Sequence, residues 1–241
     1  MSSVFIDRTT INRLLHDVKY IYTHTLHEHG IYYIHDEENI MKGYALLIGP
    51  INTPYQYGYN LFSIDYPKNY PSSPPKFNYI NLYLNGDNIR MHPNMYRNGK
   101  VCISILNTWF GSQWSSCQTI SSVLLSLISI FDENPLLNEP GITNRQLCLE
   151  YHTIITYKNI LTILQTIKQF KEKKDIMNNV LLKFKDVIIQ NYDKNKLEIY
   201  DTIIDNVKRH PNTKKYECKI YNMLNINISF KSLLEIYESI T

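Results

Sequence analysis

Apolar residues in the stretch TTINRLLHDVKYIY return at a helical interval. Ile11, Leu14, Leu15, Val18, Ile21 and Tyr22 fall at i, i+3, i+4, i+7, i+10 and i+11, which is one face of a helix. Asp7 or Thr9 stands where it could cap that helix. Arg13 and Lys19 lie on the opposite face, which is either wet surface or a docking surface for a partner.

The pattern then shortens. GIYYIHD, IMKGYALLIGP, YNLFSIDYP and KFNYINLYL are rich in Tyr, Phe and Ile and are separated by Gly, Pro and Asn, which predicts four short strands joined by turns. Their close spacing predicts an antiparallel meander, because parallel neighbours need long crossovers. Pro71, Pro74 and Pro75 keep the chain entering the fourth strand out of regular pairing.

Helical spacing resumes after Cys102. Ile120, Val123, Leu124, Leu127, Ile128 and Phe131 mark one helix, with Ser116 or Thr119 as cap and Pro135 as stop. Leu147, Tyr151, Ile154, Ile155, Leu161, Leu164 and Ile167 mark another, from Arg145 to about Phe170. VLLKFKDVIIQNYDKNKLEIYDTIID and SFKSLLEIYESI continue helical. The order predicts an α+β fold: an N-terminal helix, a four-stranded antiparallel meander sheet and C-terminal helices, followed by a helical extension. Residues 1–170 are expected to form a core and residues 171–241 the extension, packed on or beside it.

Composition narrows the class. With 241 residues, 44% hydrophobic and 20% charged, the chain is long and apolar enough for one good core and is not a disordered segment. A net charge of +3 selects no partner. In KQFKEKKD, Glu172 and Asp175 interrupt the lysines, so the run reads as a solvated helix end and no nucleic-acid partner is expected. The longest apolar run, ISSVLLSLISIF, is too short and too serine-studded to span a bilayer, and MSSVFIDRTT has no secretory apolar core. Four cysteines without a CxxC pair predict neither a disulfide framework nor a zinc site. The expectation is a monomer without cofactor or membrane contact, with reduced thiols, in the cytoplasm or nucleus (of a host cell, if the AT-rich coding is viral).

The tripeptide His-Pro-Asn occurs twice, at His92–Asn94 and His210–Asn212. The first lies ten residues, His to Cys, ahead of Cys102, behind the turn signal Asn98-Gly99. There, Cys102 is a candidate nucleophile or a small buried apolar residue. The second copy has Ile220 in that register, with Cys218 two positions short, and reads as a turn.

His-Pro-Asn, Cys102, Trp114, an apolar helix and NPLLNEP, in that order, resemble the ubiquitin-conjugating enzymes. So do the upstream glycine-proline turn, tyrosine-containing hairpin and proline-rich loop in GPINTPYQYGYNLFSIDYPKNYPSSPPKF. The resemblance covers about residues 10 to 170 and is closest to larger members with a C-terminal extension, the subgroup with an inhibitor-of-apoptosis-linked enzyme. It implies that Cys102, in a shallow open groove, accepts ubiquitin or a ubiquitin-like protein as a thioester and passes it to an amine, usually a substrate lysine. It further implies three kinds of protein partner besides the modifier: an activating enzyme, a ligase and the substrates.

The resemblance assigns Asn94 to stabilise the developing oxyanion or to brace the cysteine loop. His92 either holds the turn by hydrogen bonds or acts as a base, and Pro93 stiffens that turn. Lys100 either assists the thiolate or is plain surface. Two acidic positions of the family depart: Leu137 and Ser104 replace the aspartates, which leaves Asn138 and Glu139 as the nearest polar substitutes, unless Glu139 is only a surface charge. Ser72 stands for the aromatic that contacts ligases, and Ser115-Ser116-Cys117 for a Ser-Pro-Ala loop, so the common ligase mode is weakened at Ser72, Ser116 and Cys117, with Arg13 as a further partner contact. Extra chain lies between Phe77 and His92 and around Asn107 to Ser112, where Trp109 either rims the cleft or covers core.

Two rival readings remain. A non-catalytic module on the same scaffold would typically lack the cysteine. A papain-like hydrolase would need His152 or His210 as its base.

Overall fold

The computed structural model describes residues 6–82, 89–172 and 178–241. The chain divides into two compact units. The first comprises Met1–Leu47, Asn60–Asn81 and Asn94–Ile130, and the second Ile48–Tyr59, Leu82–Pro93 and Phe131–Thr241.

The first unit opens with α1 (Arg8–Thr23), capped by Asp7, whose carboxylate accepts from the Thr9 amide at 3.0 Å. Its buried stripe is Thr10, Leu14, Asp17, Val18 and Ile21, while Leu15 is 50% exposed. The face is turned toward two polar residues that counting apolar positions cannot find. Thr10 donates to the Lys68 carbonyl at 3.1 Å, and Asp17 is bonded by Arg13 and Tyr70. Satisfied in this way, both can be buried.

The four expected strands form one sheet in the order β1-β2-β3-β4: β1 (Ile31–His35), β2 (Lys42–Ile48), β3 (Tyr59–Asp65) and β4 (Lys76–Ile80). β1 and β2 are antiparallel with Ile31 opposite Leu47; β3 and β4 are antiparallel with Leu61 opposite Ile80. Leu46, Leu61, Phe62 and Ile64 are fully buried, as are Val123, Leu124 and Leu127 of α2 (Ile120–Ser129). The cap of α2 is Thr119 in a reciprocal pair with Ser122, not Ser116. The helix ends ahead of Pro135. Ser126 and Ser129 donate back to the carbonyls of Ser122 and Ser126, which weakens the last turn, and Pro135 instead begins a separate turn, Pro135–Asn138. The end of KFNYINLYL and part of the extra chain before His92 lie outside the described residues.

The second unit carries α3 (Arg145–Glu172), α4 (Asn179–Lys183), α5 (Lys185–Arg209), the hairpin β5 (Lys214–Cys218) and β6 (Met223–Ile228), and α6 (Phe230–Ile240). Ile154, Ile155 and Leu164 of α3, Ile188 and Ile203 of α5 and Leu233 of α6 are buried. Burial first, and next the bond that Tyr57 donates to Glu198, push the Tyr57 hydroxyl up to about 12. The extension is therefore not purely helical. KKYEC and MLNINI pair antiparallel, Lys214 opposite Ile228, across a turn in which Asn222 takes φ 51°. Alternation there is broken by Lys219–Tyr221, a single turn of 3-10 helix, which hides the hairpin from a count of periods. The end of KQFKEKKD lies outside the described residues.

Candidate active site

The loop that presents Cys102 is built from a tight turn. Gly99 takes φ +86° and donates to the Tyr96 carbonyl at 2.9 Å. A Cβ there would stand 2.1 Å from Asn78 Oδ1, so a larger residue would have to displace that side chain as well as adopt the strained positive φ. Asn98 Oδ1 accepts from the Lys100 amide at 3.1 Å, and the Tyr79 amide of β4 donates to the Gly99 carbonyl at 2.8 Å. The return of the turn pairs Val101 with Met95.

The next pair is Asn94 and Cys102. The Cys102 amide donates to the Asn94 carbonyl at 2.9 Å, and Asn94 Nδ2 donates to the Cys102 carbonyl at 2.6 Å. Beyond it, Thr108 folds back: its hydroxyl donates to the Val101 carbonyl at 2.9 Å and accepts from the Ile103 amide at 3.0 Å.

The expected open groove is not what the structure holds. Cys102 is 3% exposed and Asn94 9%, and Val101, Ile103, Ile105 and Leu106 are buried with them. Backbone bonds on both sides and the Thr108 hydroxyl hold the run in this conformation. Trp109 is half-buried beside Phe110, which is 90% exposed at the tip of the same loop.

His92 and Pro93 belong to the second unit. His92 is 0% exposed, its ring 5.8 Å from that of Tyr55 and 5.4 Å from that of Phe131. That setting gives the ring a packing role at the turn. Tyr55 also donates to the Met91 carbonyl at 2.8 Å.

The candidates for handling the amine have separate engagements. Ser104 is half-buried and begins the short turn Ser104–Leu106. Asn138 donates to Asp132 Oδ2 at 3.0 Å and to the Pro135 carbonyl at 3.1 Å. Glu139 accepts from the Tyr221 hydroxyl at 3.0 Å, so it is tied into the second unit and is no idle surface charge. Burial first, and the Glu139 carboxylate next, raise the Tyr221 pKa and keep that hydroxyl a donor. Lys100 is exposed, its amine 5.9 Å from the centre of the Tyr96 ring.

The partner candidates lie in the first unit. Ser72, Ser116 and Cys117 are exposed. Arg13 is engaged internally: Nε donates to both oxygens of Asp17 (3.0 and 2.9 Å), and Nη1 and Nη2 donate to the carbonyls of Ser116 and Gln118, each at 2.6 Å. Trp114 Nε1 donates to the Pro71 carbonyl at 2.7 Å, which ties the proline-rich loop to the same segment. Buried Tyr70 completes the group by donating to Asp17 at 2.5 Å.

The second His-Pro-Asn is a helix end. His210 closes α5, meets the Tyr216 hydroxyl through Nδ1 at 3.0 Å and stacks on Phe230. It lines a groove of about 1080 Å³ with His152, Arg209 and Tyr216, and neither Cys102 nor Asn94 is among the groove's residues. Among the described residues no cluster of His, Cys, Asp and Glu could hold a metal, and no helix is long and apolar enough to cross a membrane. Sequence reasoning missed Thr108, because a threonine six residues past the cysteine carries no signal.

A family model described as ubiquitin-conjugating enzyme matches residues 13–152. The chain is 47% identical over 113 residues to the ubiquitin-conjugating enzyme E2 Z of Xenopus tropicalis, covering 46% of this chain and 35% of that relative. To the human E2 Z it is 48% identical over 113 residues, covering 46% of this chain and 31% of the relative. It is also 44% identical over 113 residues to the human dual E2 ubiquitin-conjugating enzyme/E3 ubiquitin-protein ligase BIRC6, covering 44% of this chain and 2% of that one. The matched stretch thus spans about a third or less of those relatives' length.

Proposed function

This chain belongs to the ubiquitin-conjugating enzyme family, and we propose that it carries ubiquitin or a ubiquitin-like protein as a thioester on Cys102 and transfers it to an amine, usually a substrate lysine. In loading, the Cys102 thiolate attacks the carbonyl carbon of a thioester held by an activating enzyme. The new C–S bond forms as the old one breaks, and the activating enzyme's thiol leaves. In transfer, the amine nitrogen attacks the same carbon, the bond to Cys102 breaks, and an amide remains with the amine's proton released.

The observation that carries this reading is the reciprocal pair that holds the Asn94 amide against the Cys102 backbone, within a segment matched by the family model. An amide donor placed there can offset charge on the attacked carbonyl oxygen, an effect of roughly 3 kcal/mol in comparable sites. Because Cys102 is 3% exposed, loading includes a parting of its cover. Ser72, Ser116 and Cys117, exposed beside the Arg13-tethered segment, form the face we assign to ligase and activating-enzyme contact. Residues 1–170 serve as the conjugating core.

The test is incubation of the chain with activating enzyme, ATP and modifier, read on gels with and without thiol reductant. A reductant-sensitive adduct is expected. Cys102→Ser should give a reductant-resistant ester or none, and Cys218→Ser should leave the adduct unchanged. Folded chain that forms no adduct across a panel of activating enzymes and modifiers would overturn the reading in favour of a non-catalytic module.

A further inference from the structure

Among the described residues β5 pairs with β6 alone, which leaves its other edge without a strand. The register shifts between Tyr216 and Cys218. The extra residue falls on the β6 side, where Asn225 takes φ 55°, so β5 itself runs unbroken. A groove of about 500 Å³ follows the outer side of β5. It is lined by residues 214–217 of that strand, with Leu147 and Glu150 of α3 opposite, and no described residue of β6 contributes to it. Gln146, Glu150, Lys214 and Tyr216 also line the 1080 Å³ groove, so the two grooves are continuous.

The charges beside this edge are lopsided. Between residues 208 and 219 five cations stand against the carboxylate of Glu217, a local +4 in a chain whose total is +3. Lys208 pairs with Asp205 at 3.3 Å, and the Lys214 amine lies 5.1 Å from the centre of the Tyr216 ring. Lys215 and Lys219 are exposed and, among the described residues, form no ion pair. On the facing wall Glu150 accepts from Gln146 of its own helix at 3.0 Å. Half-buried Leu147 and Ile220, 41% exposed, add apolar surface to the same groove. An unpaired edge presents main-chain donors and acceptors at every second residue, and lysines along it keep like copies apart. The same lysines attract a strand that carries carboxylates.

We propose that the outer edge of β5 is a docking site for an acidic peptide in extended conformation, which adds to the hairpin as a third strand. Main-chain bonds along the five residues of β5 supply affinity, over about 17 Å of strand. Carboxylates of the peptide meet Lys215 and Lys219, and its alternate apolar side chains pack on Leu147 and Ile220. A nucleic acid is the poorer occupant, because its phosphates cannot continue a sheet and would also meet Glu150 and Glu217. A second copy of the chain would set +4 against +4. The site lies wholly within the second unit and does not depend on whether Cys102 carries a modifier.

The experiment presents the immobilised full chain to a phage-displayed library of random linear peptides. Enriched sequences should carry net negative charge, alternate β-branched or aromatic residues with polar ones, and lack proline at the pairing positions. A fluorescent synthetic peptide of that consensus should bind the parent, and bind the double variant Lys215→Glu/Lys219→Glu about tenfold more weakly, the scale of reversing two exposed charge pairs. Its affinity should fall as salt rises. No enrichment, enrichment of basic or proline-rich sequences, or equal binding by the double variant would overturn the proposal. If that variant does not fold, Lys215→Gln/Lys219→Gln takes its place, with weaker binding expected and parental binding overturning.

Strand addition has its own signature. N-methylation of alternate backbone amides of the peptide should abolish binding in one phase and spare it in the other, because only every second amide faces β5. On binding, amides of β5 should gain hydrogen-exchange protection while those of β1 and β2 stay unchanged. Equal effects of the two phases, or protection confined to other segments, would overturn the proposal. Sedimentation of the chain alone should show a monomer. A dimer that the double variant dissolves would overturn the acidic peptide in favour of a second copy.

Discussion

Asn94 and Cys102 hold each other by two hydrogen bonds, main chain to main chain at 2.9 Å and side-chain amide to carbonyl at 2.6 Å. Bracing of the cysteine loop is therefore a property of the resting chain. An NH2 group carries two donors, so bracing and charge stabilisation do not exclude each other.

Asn94→Ala separates the two roles. Leaving the Cys102 carbonyl without this donor should cost about 1–3 kcal/mol of stability. The thioester should still form, while its discharge to lysine slows by on the order of a hundredfold or more. Single-turnover charging and discharge, measured beside a denaturation midpoint, make the check. Equal loss in both steps would leave Asn94 as a brace only.

The covered thiol leads to an ordering of reactivities. Cys117 is exposed and Cys148 half-buried, while Cys102 and Cys218 are buried. A maleimide should label Cys117 first, Cys148 next and Cys102 slowly, as read by peptide mass spectrometry. Thr108→Val removes the hydroxyl that brackets Cys102 from Val101 to Ile103. Labelling of Cys102 should then rise about tenfold, the scale of one or two hydrogen bonds. Cys102 labelling as fast as that of Cys117 in the parent would contradict the closed geometry.

The elements were legible where period and chemistry agreed. The four strands, α2 and the long α3 follow from spacing and punctuation, and the first His-Pro-Asn was separable from the second by its register to Cys102. Two kinds of feature were not legible. The stripe of α1 turns toward Thr10 and Asp17 because remote partners satisfy them, Lys68 and Tyr70, and no local pattern encodes that. The β5–β6 hairpin is interrupted by the Lys219–Tyr221 turn, so its alternation fails at the residue that meets Arg90. The burial of Cys102 was not legible either: Thr108 closes, by its bonds to Val101 and Ile103, a loop that composition describes only as extra chain.

Arg13 is expected to be a structural cation first. Its fork satisfies the buried Asp17 carboxylate and two carbonyls ahead of α2. Arg13→Lys cannot reproduce that geometry and should cost roughly 1–3 kcal/mol. Arg13→Ala leaves Asp17 buried without its ion pair and should cost about 3 kcal/mol, the lower part of the usual range because the guanidinium side is partly exposed. Combining Arg13→Ala with Asp17→Asn should cost less than the sum of the single changes. Urea midpoints decide it, and an Arg13→Ala chain within about 0.5 kcal/mol of the parent would refute this role.

Acid should destabilise the fold in the histidine range. His35, His152 and His210 are each lowered from the ordinary 6.5, in every case first by burial. A bond to the Ile40 backbone and the charge of Asp36 oppose the effect at His35, and Glu133 opposes it at His152. Lys214 and Arg209 reinforce it at His210. For a base held low in the folded state, the unfolded chain binds the proton first as pH falls. Stability is then full above the unfolded value and is lost as pH drops through it toward the folded value. Urea midpoints should be level near about pH 7.5 and decline toward about pH 5.5, still above the ordinary carboxylate range. His210→Gln should flatten part of that decline, and added salt should flatten it further by screening Lys214 and Arg209. A midpoint that stays constant or rises on acidification over this window would show that these three rings are not proton-poor in the folded chain.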